Sequence, residues 1–219
     1  AVGSLALVAN TTGGNNGAFG YQALDANTTG YANNAMGFNS LGANTTGYSN
    51  SAYGHSSLDA NTTGANNTAV GDNSLSANTT AANNTAVGIN AGAEISTGAT
   101  NTLIGKDSGR FITTGAKNTV LGPYHGNQGG LDIRTSSNNV VLSDGDGNIK
   151  FAYENSSNTT KMPDVYTNTS GNAANVVILS SGTICRSTSS LKYKRDVQDA
   201  THGLAEVLQL RPVTYKGKN

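Results

Sequence analysis

The 219 residues balance 13 Lys and Arg against 13 Asp and Glu, with only 12% charged and 6% aromatic residues, 28 Gly and no Trp. That composition excludes an ordinary globular core. No Lys or Arg precedes Lys106, so the first half carries no electrostatic footprint for nucleic acid or an anionic membrane, and no apolar run approaches the length of about 18 residues that would insert into one.

From Gly3 to Gly122 one 17-residue pattern recurs without a slip. Gly stands at 3, 20, 37, 54, 71, 88, 105 and 122, and Asn at 16, 33, 50, 67, 84, 101 and 118. A block Ala-Asn-Thr-Thr-Gly begins at 9, 26, 43 and 60, then decays through Ala77–Ala81 to Ile95–Gly98 and Ile112–Gly115. The first ten residues share this register, with Gly3 and Leu7 in their columns, so they read as part of a coil rather than a signal peptide, and the chain reads as cut at its N-terminus. A fixed short period marks an array of units, each too small to bury its own core. Seventeen residues are too few for a helix pair, and Asn-Thr-Thr-Gly in every unit breaks longer helices. The expected fold is all-β: a parallel β-solenoid of 17-residue coils over residues 1–122, rising about 4.8 Å per coil. Stacking would set the Asn column as a ladder of amides and place each Gly where positive φ or close approach is needed.

Before each Gly comes a small or medium apolar residue (Ala18, Ala35, Ala52, Ala69, Ala86, Leu103, Val120) and then a larger one (Phe19, Met36, Tyr53, Val70, Val87, Ile104, Leu121). Neighbours in a strand point to opposite faces. One face therefore fills the coil with the Leu column at 7, 24, 41, 58 and 75, and the other needs a partner, most economically another copy of the chain. The residues after each Gly and after Thr-Thr-Gly vary, which predicts outward-facing positions. Tyr21, Tyr31, Phe38 and Tyr48 among them are candidate receptor-binding aromatics able to stack on sugar rings.

Beyond Gly122 the 17-residue period stops. Pro123–Gly126 and Gln128–Gly130 read as a junction, and residues 123–186 as a β-rich stalk with short strands at 131–134, 140–143, 149–153 and 176–179. Strands so short and sparsely apolar would be held by several interwoven chains. The turn Ser143–Asn148 offers clustered carboxylates, yet it lacks the distal Glu of a calcium loop and reads as a hairpin turn. Cys185 reads as a small apolar residue, and His55, His125 and His202 lack metal-ligand spacing. No metal and no cofactor is expected. The Asn-x-Thr sequons at Asn10, Asn27, Asn44, Asn61 and Asn78 follow the periodic turn.

Residues 187–219 change character: Ser187–Val197 is basic, Gly203–Leu210 reads as a short helix ended by Arg211-Pro212, and Val213–Tyr215 as a strand start, giving a short α+β segment. The stretch Ser189-Ser190-Leu191-Lys192-Tyr193-Lys194-Arg195-Asp196-Val197 resembles the opening of the intramolecular chaperone domain of phage endosialidases and many tail fibres, with most of that domain lying past Asn219. The repeats resemble those of tail-fibre proteins and, more loosely, trimeric autotransporter adhesin heads, and Val141–Asn148 is similar to a turn of tail-fibre stalks. The resemblance implies a homotrimeric fibre on the virion surface, with an interwoven trimeric stalk, other virion components as neighbours and a host-surface glycan or other receptor as partner. It also implies self-cleavage by a Ser-Lys dyad, with Ser189 as nucleophile, Ser190 as the alternative, and Lys194 as base. A bacterial surface adhesin shares the architecture. A glycan-cleaving fibre would need paired carboxylates in a cleft, and only Asp25, Asp59, Asp72 and Glu94 precede Lys106.

Overall fold

The computed structural model describes residues 1–163 together with the strands Val176–Ile178 and Ile184–Arg186. The chain forms two units, Ala1–Val165 and Tyr166–Asn219. The first is a parallel β-solenoid in which each coil contributes one short strand: β1 Gly17–Phe19, β2 Asn34–Met36, β3 Ser51–Tyr53, β4 Thr68–Val70, β5 Thr85–Val87, β6 Thr102–Ile104 and β7 Thr119–Leu121. Their register follows the repeat, Ala18 lying beside Ala35 and Ala35 beside Ala52, while Val2 bridges to Phe19 and brings the N-terminal residues into the stack.

Each strand ends at the Gly column, whose φ lies between +101° and +142°. At Gly20 an added Cβ would sit 2.4 Å from the carbonyl oxygen of Gly37 in the next coil. Glycine is therefore required there twice, by backbone conformation and by the approach of the neighbouring coil. Four residues after that Gly, the chain does something its composition does not advertise. Leu24, Leu41, Leu58 and Leu75 adopt left-handed backbone with φ of 52° to 54°, and all four are fully buried. Left-handed backbone costs a branched residue roughly 1–2 kcal/mol; burying its side chain returns about 1.5–3 kcal/mol.

The interior changes composition partway along. In the early coils it pairs Ala from the strand with the left-handed Leu and with Asn27, Asn44, Asn61 and Asn78. Further on, Gly92 and Gly109 take the left-handed position with φ of 59° and 60°, Ile95 and Ile112 take the Asn position, and Leu103 and Val120 replace the strand Ala. The exchange conserves volume: a Cβ on Gly92 would lie 2.8 Å from Leu103 Cδ1 and 3.1 Å from Ile95 Cδ1. Branched side chains from opposite walls thus occupy the room that Leu vacates.

Two amide ladders run through the stack. In the predicted column, Asn50 donates from its backbone N–H and from Nδ2 to Asn33 Oδ1 at 3.0 and 3.1 Å, and Nδ2 also reaches the Gly64 carbonyl at 2.8 Å. The second column belongs to the sequons: Asn44 Nδ2 donates to Asn27 Oδ1, and Asn61 Nδ2 to Asn44 Oδ1, each at 2.8 Å. Asn27, Asn44, Asn61 and Asn78 are fully buried. Their side chains are structural, and in the folded chain none is open to a glycan.

Stacking runs past Gly122, where the 17-residue period ends. Strand β8, Val140–Ser143, lies parallel to β7, with Val120 beside Val141, and Asn139 donates to Asn118 Oδ1 as the next rung. This coil takes 139 − 118 = 21 residues instead of 17. Residues 131–134, expected as a strand, instead fill the coil position opposite the sheet: Leu131 and Ile133 are buried, and the Arg134 carbonyl accepts from Thr113. The fully buried Tyr124 donates its hydroxyl to the Leu131 carbonyl and closes the longer loop. Strand β9, Ile149–Glu154, then pairs antiparallel with β8, and β10, Thr159–Lys161, with β9. Asn155 N–H donates to Asn139 Oδ1 and satisfies the last acceptor of the first ladder.

In the second unit, β11, Val176–Ile178, pairs antiparallel with β12, Ile184–Arg186, placing Cys185 beside Val177. Ser189, Ser190, Lys194, His202 and the expected helix Gly203–Leu210 lie outside the described residues.

Candidate interaction surface

Alternation in the three-residue strands produces the surface. The middle residue of each points inward and is buried, and the third points outward. Phe19, Met36, Tyr53, Val70, Val87, Ile104, Leu121 and Leu142 therefore form one stripe along the sheet, each between 36% and 51% exposed. Thr68, Thr85 and Thr102 flank it as the outward first residues of their strands. Parallel sheets are ordinarily covered on both faces. Here one face packs against the coil interior while the other presents a row of apolar side chains, the kind of contiguous apolar surface that marks an association site.

The four aromatics singled out from the repeat lie in two columns, one before and one after the strand of each coil, and are exposed. Coil spacing stacks them on each other. Tyr21 and Phe38 have ring centroids 5.5 Å apart and planes 16° apart, Phe38 continues onto His55 at 5.2 Å, and Tyr31 lies on Tyr48 at 5.0 Å and 3°. Ring faces between coils are thus taken up by neighbouring rings, and what the columns offer outward is ring edges. Tyr31 keeps one face toward the preceding coil, where Gly14 supplies no side chain.

The turn at Asp144 is held from within. Asp144 Oδ1 accepts from the backbone N–H groups of Asp146 and Asn148 at 3.1 and 2.9 Å, and Lys150 Nζ lies 3.2 Å from Oδ2. Desolvation pushes this carboxyl up, but the Asn148, Lys150 and Asp146 hydrogen bonds outweigh it and bring the pKa down to about 2. The carboxylate is an acceptor for its own hairpin, as the missing distal Glu suggests. Among the described residues no three His, Cys, Asp or Glu side chains come together as a metal site, and no helix is long and apolar enough to cross a membrane.

Sequence periodicity located the stripe and the aromatic columns. It did not show that the aromatic rings cover one another, because ring orientation depends on coil spacing. No family model matches this chain, and comparison with curated proteins and with solved structures likewise gives no match.

Proposed function

We propose that the chain is a structural and receptor-binding segment of a homotrimeric virion fibre, in which copies associate through the stripe from Phe19 to Leu142. The observation that carries this reading is the uncovered apolar face of a parallel sheet, one side chain per coil over eight strands. Covering the exposed half of each such side chain is worth about 1 kcal/mol, so the rows act together where any single row would be weak. Several copies meeting through one repeated stripe make a closed symmetric assembly the economical outcome. Replacing Val70 and Val87 by Asp puts two charges into the middle of the stripe. Light scattering should then report monomer or aggregate in place of trimer, and an unchanged trimer mass would show that copies associate elsewhere or not at all.

Receptor contact is assigned to the exposed aromatics Tyr21, Tyr31, Phe38 and Tyr48 at the N-terminal end of the solenoid, with a host-surface glycan as the expected ligand. A variant with all four changed to Ala should lose binding to host cells; full binding would remove these positions from the contact. The maturation step rests on the resemblance of residues 187–197. Joined to a complete chaperone domain, the chain should separate into two fragments, and Ser189→Ala or Lys194→Ala should leave one.

A further inference from the structure

One column of the solenoid abandons its repeat residue and collects chemistry. Its members are Ala9, Ala26, Ala43, Ala60 and Ala77 in the early coils, then Glu94 and then Phe111; in the 21-residue coil the place above Phe111 falls to Gly126, and the inserted residues 127–132, Asp132 among them, loop out beside it. Phe111 N–H bonds the His125 carbonyl as Glu94 N–H bonds the Arg110 carbonyl one coil earlier, and Ile133 N–H then bonds the Gly126 carbonyl, so the loop 127–132 is closed at its base before Arg134 takes up the stack again beside Thr113. Five coils of Ala give way to a carboxylate and an aromatic ring stacked about 4.8 Å apart, with a second carboxylate supplied by the inserted loop.

These side chains line a surface groove of about 480 Å³, with Thr113, Asn127 and Arg134 completing the wall. The longer coil creates it, because the additional loop brings Asn127 up beside the column. Three features organise the groove. Phe111 is fixed by His125, edge-on with centroids 5.6 Å apart, and by the Arg110 guanidinium at 5.4 Å from its centroid. Asp132 and Arg134 form a two-pronged pair, Nη2 to Oδ2 at 2.7 Å and Nε to Oδ1 at 3.0 Å, and the Arg134 backbone N–H also donates to Oδ1 at 3.0 Å. Glu94, Asp132 and Arg134 are exposed.

We infer that this groove is a binding site for an uncharged saccharide. A pyranose has an apolar face of C–H groups, which suits a ring such as Phe111, and a rim of hydroxyl pairs, each both donor and acceptor. Carboxylate oxygens of Glu94 and Asp132 accept from such hydroxyls, and Arg134 and Asn127 donate to them. The volume suits one or two sugar rings. Two carboxylates flank the platform, and the principal cation is already paired with one of them. An acidic sugar would therefore meet repulsion without a free countercharge. The column lies about half a coil along the chain from the stripe, Phe111 standing seven residues past Ile104 in coils of 17. Association through the stripe leaves the groove open, so the two assignments stand or fall separately.

The test titrates the chain with methyl glycosides of galactose, glucose, mannose and N-acetylglucosamine, and with N-acetylneuraminic acid as the acidic comparator, while following backbone amide NMR shifts. At least one neutral glycoside should move the resonances of Phe111, Thr113 and Arg134. Phe111→Ala restores the residue that five other coils carry in this column, so the coil should still fold, and it should weaken binding at least tenfold. Asp132→Asn keeps the shape, removes the charge that orders Arg134, and should also weaken binding. Absence of shifts with every neutral glycoside at millimolar concentration overturns the assignment. So does a response to the acidic sugar alone, or binding that survives both substitutions. Carrying Val70→Asp and Val87→Asp in a parallel sample should alter the mass but leave the shifts at Phe111 in place.

Discussion

Asn78 is stacked between Asn61 and Ile95, and it ends a ladder. Its Nδ2 donates to Asn61 Oδ1 at 2.8 Å, whereas its own buried Oδ1 has no donor, because the next residue in the column is Ile95. Asn44, in the middle of the same ladder, both donates to Asn27 and accepts from Asn61. Removing a partner from a buried polar group costs about 1–3 kcal/mol. Asn44→Ala strands groups on both sides and should destabilise the solenoid by at least 1 kcal/mol more than Asn78→Ala, which strands a group on one side only. Urea unfolding of the two variants measures the difference; equal losses would mean that the ladder is not cooperative between rungs.

A second buried acceptor gives a pH-dependent prediction. Asp59 Oδ1 is buried without a partner, and its Oδ2 has Asn39 Nδ2 only at 3.4 Å. Desolvation raises its pKa above the ordinary value of 3.8, against the lowering influence of nearby backbone N–H groups and His55. A carboxyl with a raised pKa holds its proton more tightly in the folded chain than in the unfolded one. Stability therefore falls as pH rises from about the ordinary value through the folded one, and the penalty persists at neutral pH. Asp59→Ser, which installs the residue found one coil on at Ser76, should raise the thermal midpoint at pH 7. The gain should shrink at pH 3, where both states of the parent are protonated. A gain that is the same at both pH values would assign the effect to packing rather than to charge.

The glycine columns differ in how strictly they need glycine, and Gly54 and Gly14 make the contrast. Gly54 has φ of 141° and its Cβ position lies 2.5 Å from the Gly71 carbonyl oxygen, while Gly14 has nothing within 4 Å. Gly54→Ala combines an unfavourable backbone with a clash against neighbouring main chain and should cost about 3 kcal/mol or more. Gly14→Ala should be neutral within about 0.5 kcal/mol. Chemical denaturation of each variant reads the difference, and a tolerated Gly54→Ala would mean that adjacent coils can part at the turn.

Much of this architecture could be read from the sequence because stacking turns a linear period into spatial columns. The 17-residue spacing gave the coil, and the alternation Ala18-Phe19 through Val120-Leu121 gave the buried and exposed faces. Ala-Asn-Thr-Thr-Gly was legible as a turn, but not as a second interior ladder, since an Asn just before a bend looks like ordinary turn chemistry. The left-handed Leu column was invisible for the opposite reason: Leu disfavours that backbone, and only its burial in every early coil stabilises it there. The last coil was hidden by four additional residues, which break the period at Pro123 while Asn139 and Val141 keep their places in the stack. The groove residues Glu94, Phe111 and Asp132 share no residue type, and Asp132 comes from an inserted loop outside the repeat register. Nothing in periodicity could join them.

The coil that escapes the period also supplies a test of how locally the solenoid is held together. Tyr124 is fully buried, and its hydroxyl donates to the Leu131 carbonyl, for which no other donor is seen among the described residues. Burial raises the phenol pKa well beyond its usual range, so the bond persists in alkaline solution as long as the fold does. Tyr124→Phe keeps the ring and removes the donor, leaving a buried carbonyl unsatisfied at a cost of about 1–3 kcal/mol. In a stack where each coil touches only its neighbours, that cost should remain local. The amides of Thr119 and Asn138, which bond to the Asn139 and Ala116 carbonyls across this coil, should exchange with solvent roughly tenfold or more faster. Amides of Asn34 and Ser51, which bond to Asn50 and Asn67 carbonyls far along the stack, should exchange as in the parent. Hydrogen exchange followed by NMR separates the two groups. Uniform acceleration along the whole tract would show that the solenoid opens as one cooperative unit, and unchanged exchange at Thr119 would show that the Tyr124 hydroxyl contributes nothing to closing the longer coil.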